Sequence, residues 1–332
     1  MHRLGDIGER VAITLILKHL EKMPYMPVPF GDDVSAYPIG GEELLVLKTD
    51  MLIDKTDVPE SMSLWQAARK AVVMNVSDFA AKGVKPLGAL VSLGLPARIT
   101  RKELEDIAEG LNAGAREYDV YILGGDTNEA SDLVISIAMF GTARKDALML
   151  RSGAKPGDVV AVTGFFGKTS AGLKVLLEGF KAPKSVHDVL VEAVLMPKAR
   201  LKEGLALSTS GAVTAAIDSS DGLAWSLYEI GKASNVGFVI DNVPVAYEAA
   251  RFAEVNGLDP FELAFYGGEE YELVLTVKSE LWNRANKAVK QVGGTLIRIG
   301  RVVAQKRVLL EFEGKKRVIE PRGWEHFRRH RE

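Results

Sequence analysis

Short apolar runs rich in β-branched residues alternate along this chain with longer stretches whose apolar positions recur every three to four residues. Alternation of period two marks half-buried strands, and a period near 3.6 marks helices that bury one face. On that pattern, strands are expected over 44–49, 87–95, 121–123 and 133–140. A helix is expected over 63–82, stopping at Gly83, because glycine takes the left-handed conformation that ends helices. Another should start at Thr100, where Glu103 three residues on completes a capping box. Further strands are expected over 159–163, 213–217, 238–240, 273–277 and 296–303, with a last hairpin turning at Glu313-Gly314-Lys315. Helices should lie near 170–177 and 199–208, from Gly222 onward, and over 279–292. Strands interleaved with helices in this way read as an α/β (α+β) chain.

The stretch Ser152-Gly153-Ala154-Lys155-Pro156-Gly157-Asp158 is a run of turn formers with no apolar period. It places a boundary between a domain over 1–150 and another over 151–332. A length of 332 residues agrees, at roughly 100–200 residues per domain.

Composition removes several function classes. Forty-two basic against 44 acidic residues leave a net charge of −2, so no global positive field draws in nucleic acid. The absence of cysteine excludes disulfides, thiolate metal sites and a cysteine nucleophile together. No apolar run approaches the ~20 residues of a membrane span, and Met1-His2-Arg3-Leu4-Gly5-Asp6 reads as the approach to a short helix rather than a signal peptide. A cytoplasmic setting is the expectation. The five histidines show no metal spacing, and His326 and His330 fall in a basic tail that reads as solvated.

Acidic residues, by contrast, recur beside Gly or Ser at the ends of apolar runs. Asp32-Asp33 follows Gly31, Asp50 closes the 44–49 run, and Asp126 follows Gly124-Gly125. Asp218 and Asp221 flank Ser219-Ser220, and Glu269 follows Gly267-Gly268. Asn75 and Asp78 stand three apart on one helix face. Strand ends and glycine turns are where α/β folds build ligand sites. Carboxylates repel phosphates but bind Mg²⁺, which prefers oxygen ligands, so the set suits a site that holds a polyphosphate through metal ions.

A second signal points elsewhere. Val162-Thr163-Gly164-Phe165-Phe166-Gly167-Lys168-Thr169 nearly matches a phosphate-binding loop between a strand and a helix. Val162 stands where the first glycine belongs, and a β-branched residue resists that tight turn. The helix start can still lend its amides to an anion.

Taken in order, these blocks resemble the thiamine-monophosphate kinase family, archaeal in type, within the superfamily of aminoimidazole ribonucleotide synthetase. The resemblance runs from Gly31 to about Trp324 and rests on Gly31-Asp32-Asp33, Thr49-Asp50-Met51-Leu52, Asn75 to Gly83, Gly124-Gly125-Asp126-Thr127 and Asp218 to Leu223. Arg151 to Asp158 and Gly267 to Leu273 add to it. It implies ATP-dependent phosphorylation of thiamine monophosphate to the diphosphate, with several Mg²⁺ ions and ATP as co-substrate. It also implies an N-terminal α/β domain that dimerises through its sheet and a C-terminal α/β domain that covers the cleft. Metal ligands map by resemblance onto Asp33, Lys48, Thr49, Asp50, Asp78, Asp126, Asp218 and Asp221. ATP contacts map onto Gly125, Asp126, Arg151 and Ser220, and substrate contacts onto Glu269 and Trp324. Two positions depart: Asp57 stands where the family has a substrate-side histidine, and Lys48 where a small hydroxyl residue is frequent.

The chemistry itself asks for no dedicated base. A phosphate monoester with a second pKa of about 6 is mostly a dianion at neutral pH and is already nucleophilic. The difficulty is bringing two polyanions together, since even one unit pair at 4 Å costs about 1 kcal/mol in water and more in a dry cleft. Arg151 offers a fork for a phosphate, Trp324 a face for a cationic ring, and Trp225 reads as core. A cyclising ligase of the aminoimidazole ribonucleotide synthetase kind and a non-catalytic nucleotide or thiamine-phosphate binder are the two competing readings.

Overall fold

Two β-sheets, one from each half of the sequence, pack on either side of a long buried helix. The computed structural model describes residues 3–327; His2 and His330 lie outside the described residues. The first sheet contains β1 (Ser35–Gly40), β2 (Glu43–Ile53), β3 (Pro86–Leu95), β4 (Tyr121–Glu129) and β5 (Val134–Arg144), in the order β1-β2-β5-β3-β4. All its pairings are antiparallel except β3 with β4. The second sheet contains β6 (Val159–Val162), β7 (Val213–Asp218), β8 (Gly237–Ile240), β9 (Leu273–Val277), β10 (Ile297–Val303), β11 (Val308–Phe312) and β12 (Lys315–Val318). Its order is β12-β11-β8-β10-β6-β9-β7.

Between them runs the Leu64–Lys82 helix. Ser63 caps it, with its hydroxyl accepting from the Gln66 amide at 3.2 Å and the Gln66 side chain accepting from the Ser63 amide at 2.9 Å. It ends at Gly83, whose φ of 65° and contact with Ser208, 2.3 Å from where a Cβ would sit, admit only glycine. The helix is buried on nearly every side because it touches the first sheet, the Arg101–Glu117 and Leu201–Ser210 helices, and β7 and β9. Val72, Val76, Phe79 and Ala80 pack into one core with residues of both sheets.

Several expected elements extend further than the sequence reading places them. β4 continues through Gly124-Gly125-Asp126 to Glu129 rather than stopping at Leu123. The glycines are not a turn: a Cβ on Gly125 would lie 1.8 Å from the Val91 carbonyl oxygen, so glycine lets the parallel partner approach. β2 runs to Ile53, which leaves Asp50 in mid-strand, because β5 pairs with it down to Val134. β1, an edge strand holding Pro38, and the helices Lys184–Leu195, Tyr247–Asn256 and Pro260–Tyr266 are additions. Proline sits at the sheet edge because it brings no amide to a ladder. No helix of the described residues is long and apolar enough to cross a membrane.

Candidate active site

The central helix carries the side chains that organise the site. Asn75 accepts a hydrogen bond from the Asp50 amide at 3.1 Å and donates to the Ala71 carbonyl at 3.0 Å, locking β2 to the helix. One turn on, buried Asp78 meets Asp33 and Asp218; one carboxylate oxygen from each lies within 4.8 Å of the others. Asp33 comes from the loop before β1 and Asp218 from the end of β7, so the three acids join both halves of the chain. Ser77 donates to Asp218 at 2.7 Å.

Three cations partly neutralise the group. Lys82, fully buried, lies 2.6 Å from Asp32 and 2.7 Å from Asp33 and donates to the Ala216 carbonyl at 2.8 Å. Arg151 pairs with Asp33, donating from Nε at 2.8 Å, and gives Nη1 to the Gly31 carbonyl at 2.8 Å. Lys48 reaches Asp78 at 2.9 Å and Asp50 at 3.6 Å. Burial works to raise Asp33, but Lys82 and Arg151 outweigh it and hold that carboxyl below its usual range. Asp78 goes the other way. Burial drives it well above the usual range, Lys48 opposes, and Asp218, Asp50 and Asp33 reinforce the rise. Burial and Asp33 push Asp218 up to about 6 against Ser77 and Lys48.

Asp78 and Asp218 open onto a cleft of about 500 Å³ that they help to line with Arg10, Lys48, Asp50, Arg151, Ser220, Asp221, Tyr271 and Trp324. Its far wall is set by two paired loops. The Glu269 amide donates to the Ser220 carbonyl at 2.6 Å, the Tyr271 amide to Ser219 at 3.0 Å and the Ser219 amide to Glu272 at 2.9 Å. Glu269 and Tyr271 adopt φ of 63° and 51°, and the reversals turn successive side chains to opposite sides. Glu269 thereby meets buried Lys70 at 2.5 Å, whose ammonium also donates to the Asp57 carbonyl at 2.9 Å. The Asp57 carboxylate turns back to accept from the Ile53 amide at 2.7 Å.

Trp225 is not core, as the sequence reading has it. It is half-buried in the cleft wall under the Arg10 guanidinium, 3.7 Å from the ring centre. Arg10 is held there by Glu229 and lies 3.9 Å from Asp221. Trp324 lines the same cleft, tied down by its amide, which donates to the Asp221 carbonyl at 3.1 Å. His326 lines it too, rather than belonging to a solvated tail, because its amide is held by Glu9 at 3.2 Å.

Two side chains of the expected metal set turn to the other face of the first sheet. Along β2, Lys48 and Asp50 face inward while Thr49 and Met51 face out. The register places Asp126 opposite Ser92, Ser92 opposite Ser136, and Ser136 opposite Met51. The Thr49 and Asp126 side chains therefore share the outer face of the sheet, away from Asp78. Gly125 belongs to the same exposed strand.

The 162–169 loop holds no open anion cradle. Glu270 fills it, accepting from the Gly167 amide at 2.6 Å and the Thr169 amide at 3.1 Å. Burial and neighbouring Glu272 raise Glu270 to about 7, with the two amides acting against them.

Lys70 and Lys82 are the buried cations around the site that sequence reasoning missed. Their signal was present: lysines on a helix long enough and apolar enough to run through a core must each find a buried partner.

Comparison with known proteins adds an independent line. The model of the AIR synthase related protein N-terminal domain matches residues 31–143, and that of the C-terminal domain residues 155–312. A thiamine-monophosphate kinase of Pyrococcus horikoshii is 41% identical over 300 residues, covering 90% of this chain and 91% of that protein. One from Nitrosopumilus maritimus is 38% identical over 298 residues, covering 90% and 93%. The solved structure of AaThiL complexed with AMPPCP and TMP superposes with a TM-score of 0.85 at 30% identity, over 98% of this chain and 99% of that one.

Proposed function

The chain belongs to the AIR synthase related family and, within it, to the thiamine-monophosphate kinases, and on that premise we propose how its cleft does the work. The activity is ATP-dependent phosphorylation of thiamine monophosphate to thiamine diphosphate. The observation that carries the mechanistic reading is the buried Asp33, Asp78 and Asp218 group at the meeting of the two sheets, of which Asp78 and Asp218 line a cleft with two tryptophans.

Magnesium fits these residues. The donors are hard carboxylate oxygens, and Asp78 and Asp218 are raised by burial and then by neighbouring acidic charge that Lys48 does not fully cancel. Asp33, Asp78 and Asp218 would hold such ions, with Asp50 and Asp221 along the cleft and the backbone carbonyls of Lys48 and Thr49 beside them. Bound there, magnesium supplies charge cancellation between ATP and the acceptor phosphate. The protein itself orients and shields. Arg151 adds positive charge at the nucleotide end near Ser220, although Asp33 and Gly31 already take part of its fork. Glu269, steadied by Lys70, bounds the substrate end, and Trp324 offers an indole face to a cationic thiazolium. Asp57 borders that end through its backbone, with its carboxylate directed to Ile53 and so turned from the incoming phosphate. No general base is assigned, because the acceptor dianion needs none.

Residues 1–150 serve here as the ATP- and metal-binding domain and 151–332 as the domain that completes the cleft. The exposed Leu47, Met51, Leu90 and Leu123 support a homodimer built through the outer face of the first sheet, which would seat Gly125 and Asp126 at the interface. We place the enzyme in the cytoplasm. The test is product analysis with ATP, Mg²⁺ and thiamine monophosphate. Equal amounts of ADP and thiamine diphosphate are expected. ADP formed only with formylglycinamidine ribonucleotide would favour the ligase, and ligand binding without ADP a non-catalytic binder.

A further inference from the structure

We propose that Lys48 is a built-in cation of the aspartate group, taking the place between Asp50 and Asp78 that a divalent ion would otherwise occupy. The inference rests on the metal reading of these carboxylates given above. Lys48 and Asp50 lie two apart on β2 and so face the same way, toward the central helix. The ammonium stands 2.9 Å from Asp78 Oδ2 and 3.6 Å from Asp50 Oδ2. Its side chain is only 18% exposed, so the charge is built into the wall of the cleft rather than held loosely above it. Its two ion pairs both run to carboxylates that line the cleft.

An ammonium and a magnesium ion compete for such a place. Magnesium requires its oxygen ligands at about 2.0–2.1 Å in a near-octahedral shell. Asp78 Oδ2, hydrogen-bonded to the ammonium, does not offer that lone pair, and at Asp50, 3.6 Å away, the bar is charge: two cations a few ångströms apart in a half-buried site repel strongly. Lysine suits the role because its ammonium is a compact point charge with freely rotating donors. Lys82 makes the contrast. It is also buried against two aspartates, but its third donor goes to the Ala216 carbonyl and it does not line the cleft, so it reads as permanent structure. The consequence is one fewer divalent ion per chain at this wall of the cleft, the charge there being supplied by protein.

Titration of the full-length protein with Mn²⁺, followed by the paramagnetic resonance signal of the free ion, decides the point. K48M and K48S are expected to gain one Mn²⁺ site that the wild type lacks, or to bind at this place roughly tenfold tighter or more. K48R keeps the charge and should bind as the wild type does. In chelator K48M should melt below the wild type, and Mg²⁺ should raise its Tm by more than it raises the wild type's, because removing Lys48 leaves Asp78 buried beside other acids. K48M and K48S with wild-type stoichiometry and affinity would overturn the proposal while leaving the metal reading intact. If wild type and variants alike bind no Mn²⁺ even with ATP analogue present, the metal reading falls and this inference falls with it. Should K48M not fold, K48S against K48R answers the same question.

Discussion

Two places in this molecule bury carboxylates well outside their usual range, and only one of them is fit for chemistry. At the 162–169 loop, Glu270 accepts from two backbone amides and plugs the feature that resembles a phosphate cradle. In the cleft, Asp33, Asp78 and Asp218 crowd together with Asp50 nearby, and Lys48, Lys82 and Arg151 leave part of that charge uncompensated. The loop nearly matches a phosphate-binding motif and is already filled; the cleft gathers its residues from several short blocks and has an unmet demand for positive charge beside open space. What the contrast teaches is that residual charge next to an accessible cavity is a better guide to a reaction site than a familiar string of residues.

The sharpest way to break the contrast is at Asp78. Asp78→Asn should lower kcat by roughly three orders of magnitude, since it removes a carboxylate that would hold the magnesium neutralising the transferring phosphoryl group. Its Tm should change little, because the carboxylate lost is one that burial already disfavours. Wild-type turnover in steady-state ADP release would end the metal assignment.

Next comes a change that separates structural charge from working charge. Lys82→Met strips Asp32 and Asp33 of a fully buried partner and should cost about 3–5 kcal/mol of stability. Urea unfolding measures it; a cost under 1 kcal/mol would show that this pair is not the anchor described here.

The loop side is tested through pH. Glu270 is raised in the folded protein from an ordinary value of 4.5 to about 7. The folded state therefore holds its proton more tightly, so its contribution is fully present below about 4.5 and is lost as pH rises toward about 7. The wild type should lose up to about 3 kcal/mol across that window relative to Glu270→Gln. Parallel stability profiles for the two proteins between pH 5 and 8 would contradict this.

The smallest effect is expected at Asp57. Asp57→His loses the hydrogen bond to the Ile53 amide, worth about 1 kcal/mol, and should shift KM for thiamine monophosphate a few-fold with kcat nearly unchanged. A folded but inactive variant would place the Asp57 carboxylate in the reaction after all.

Much of the architecture could be read from local pattern. The central helix with its Ser63 cap and Gly83 stop, the Thr100 capping box and the 308–318 hairpin all depend on neighbours in sequence. The misreadings have one cause. Gly124-Gly125 looks like a turn because glycine usually frees the backbone, but here it admits a parallel neighbour, and that partner is 34 residues away in sequence at Val91. Trp225 looks like core because its helix is apolar, and it is the N-terminal Arg10 packing over it that makes it a wall of the cleft.

Residue order limits which side chains are available: a set of aspartates beside glycine and serine, no cysteine, no excess of positive charge. That followed from composition and spacing alone. Only the tertiary structure decided which of them meet. Pleat and register sent Asp50 and Lys48 inward and Thr49 and Asp126 outward, and the central helix drew Asp33, Asp78 and Asp218 together from three distant segments. Charge interactions depend on distance and burial, and neither is written in the order of residues along a chain.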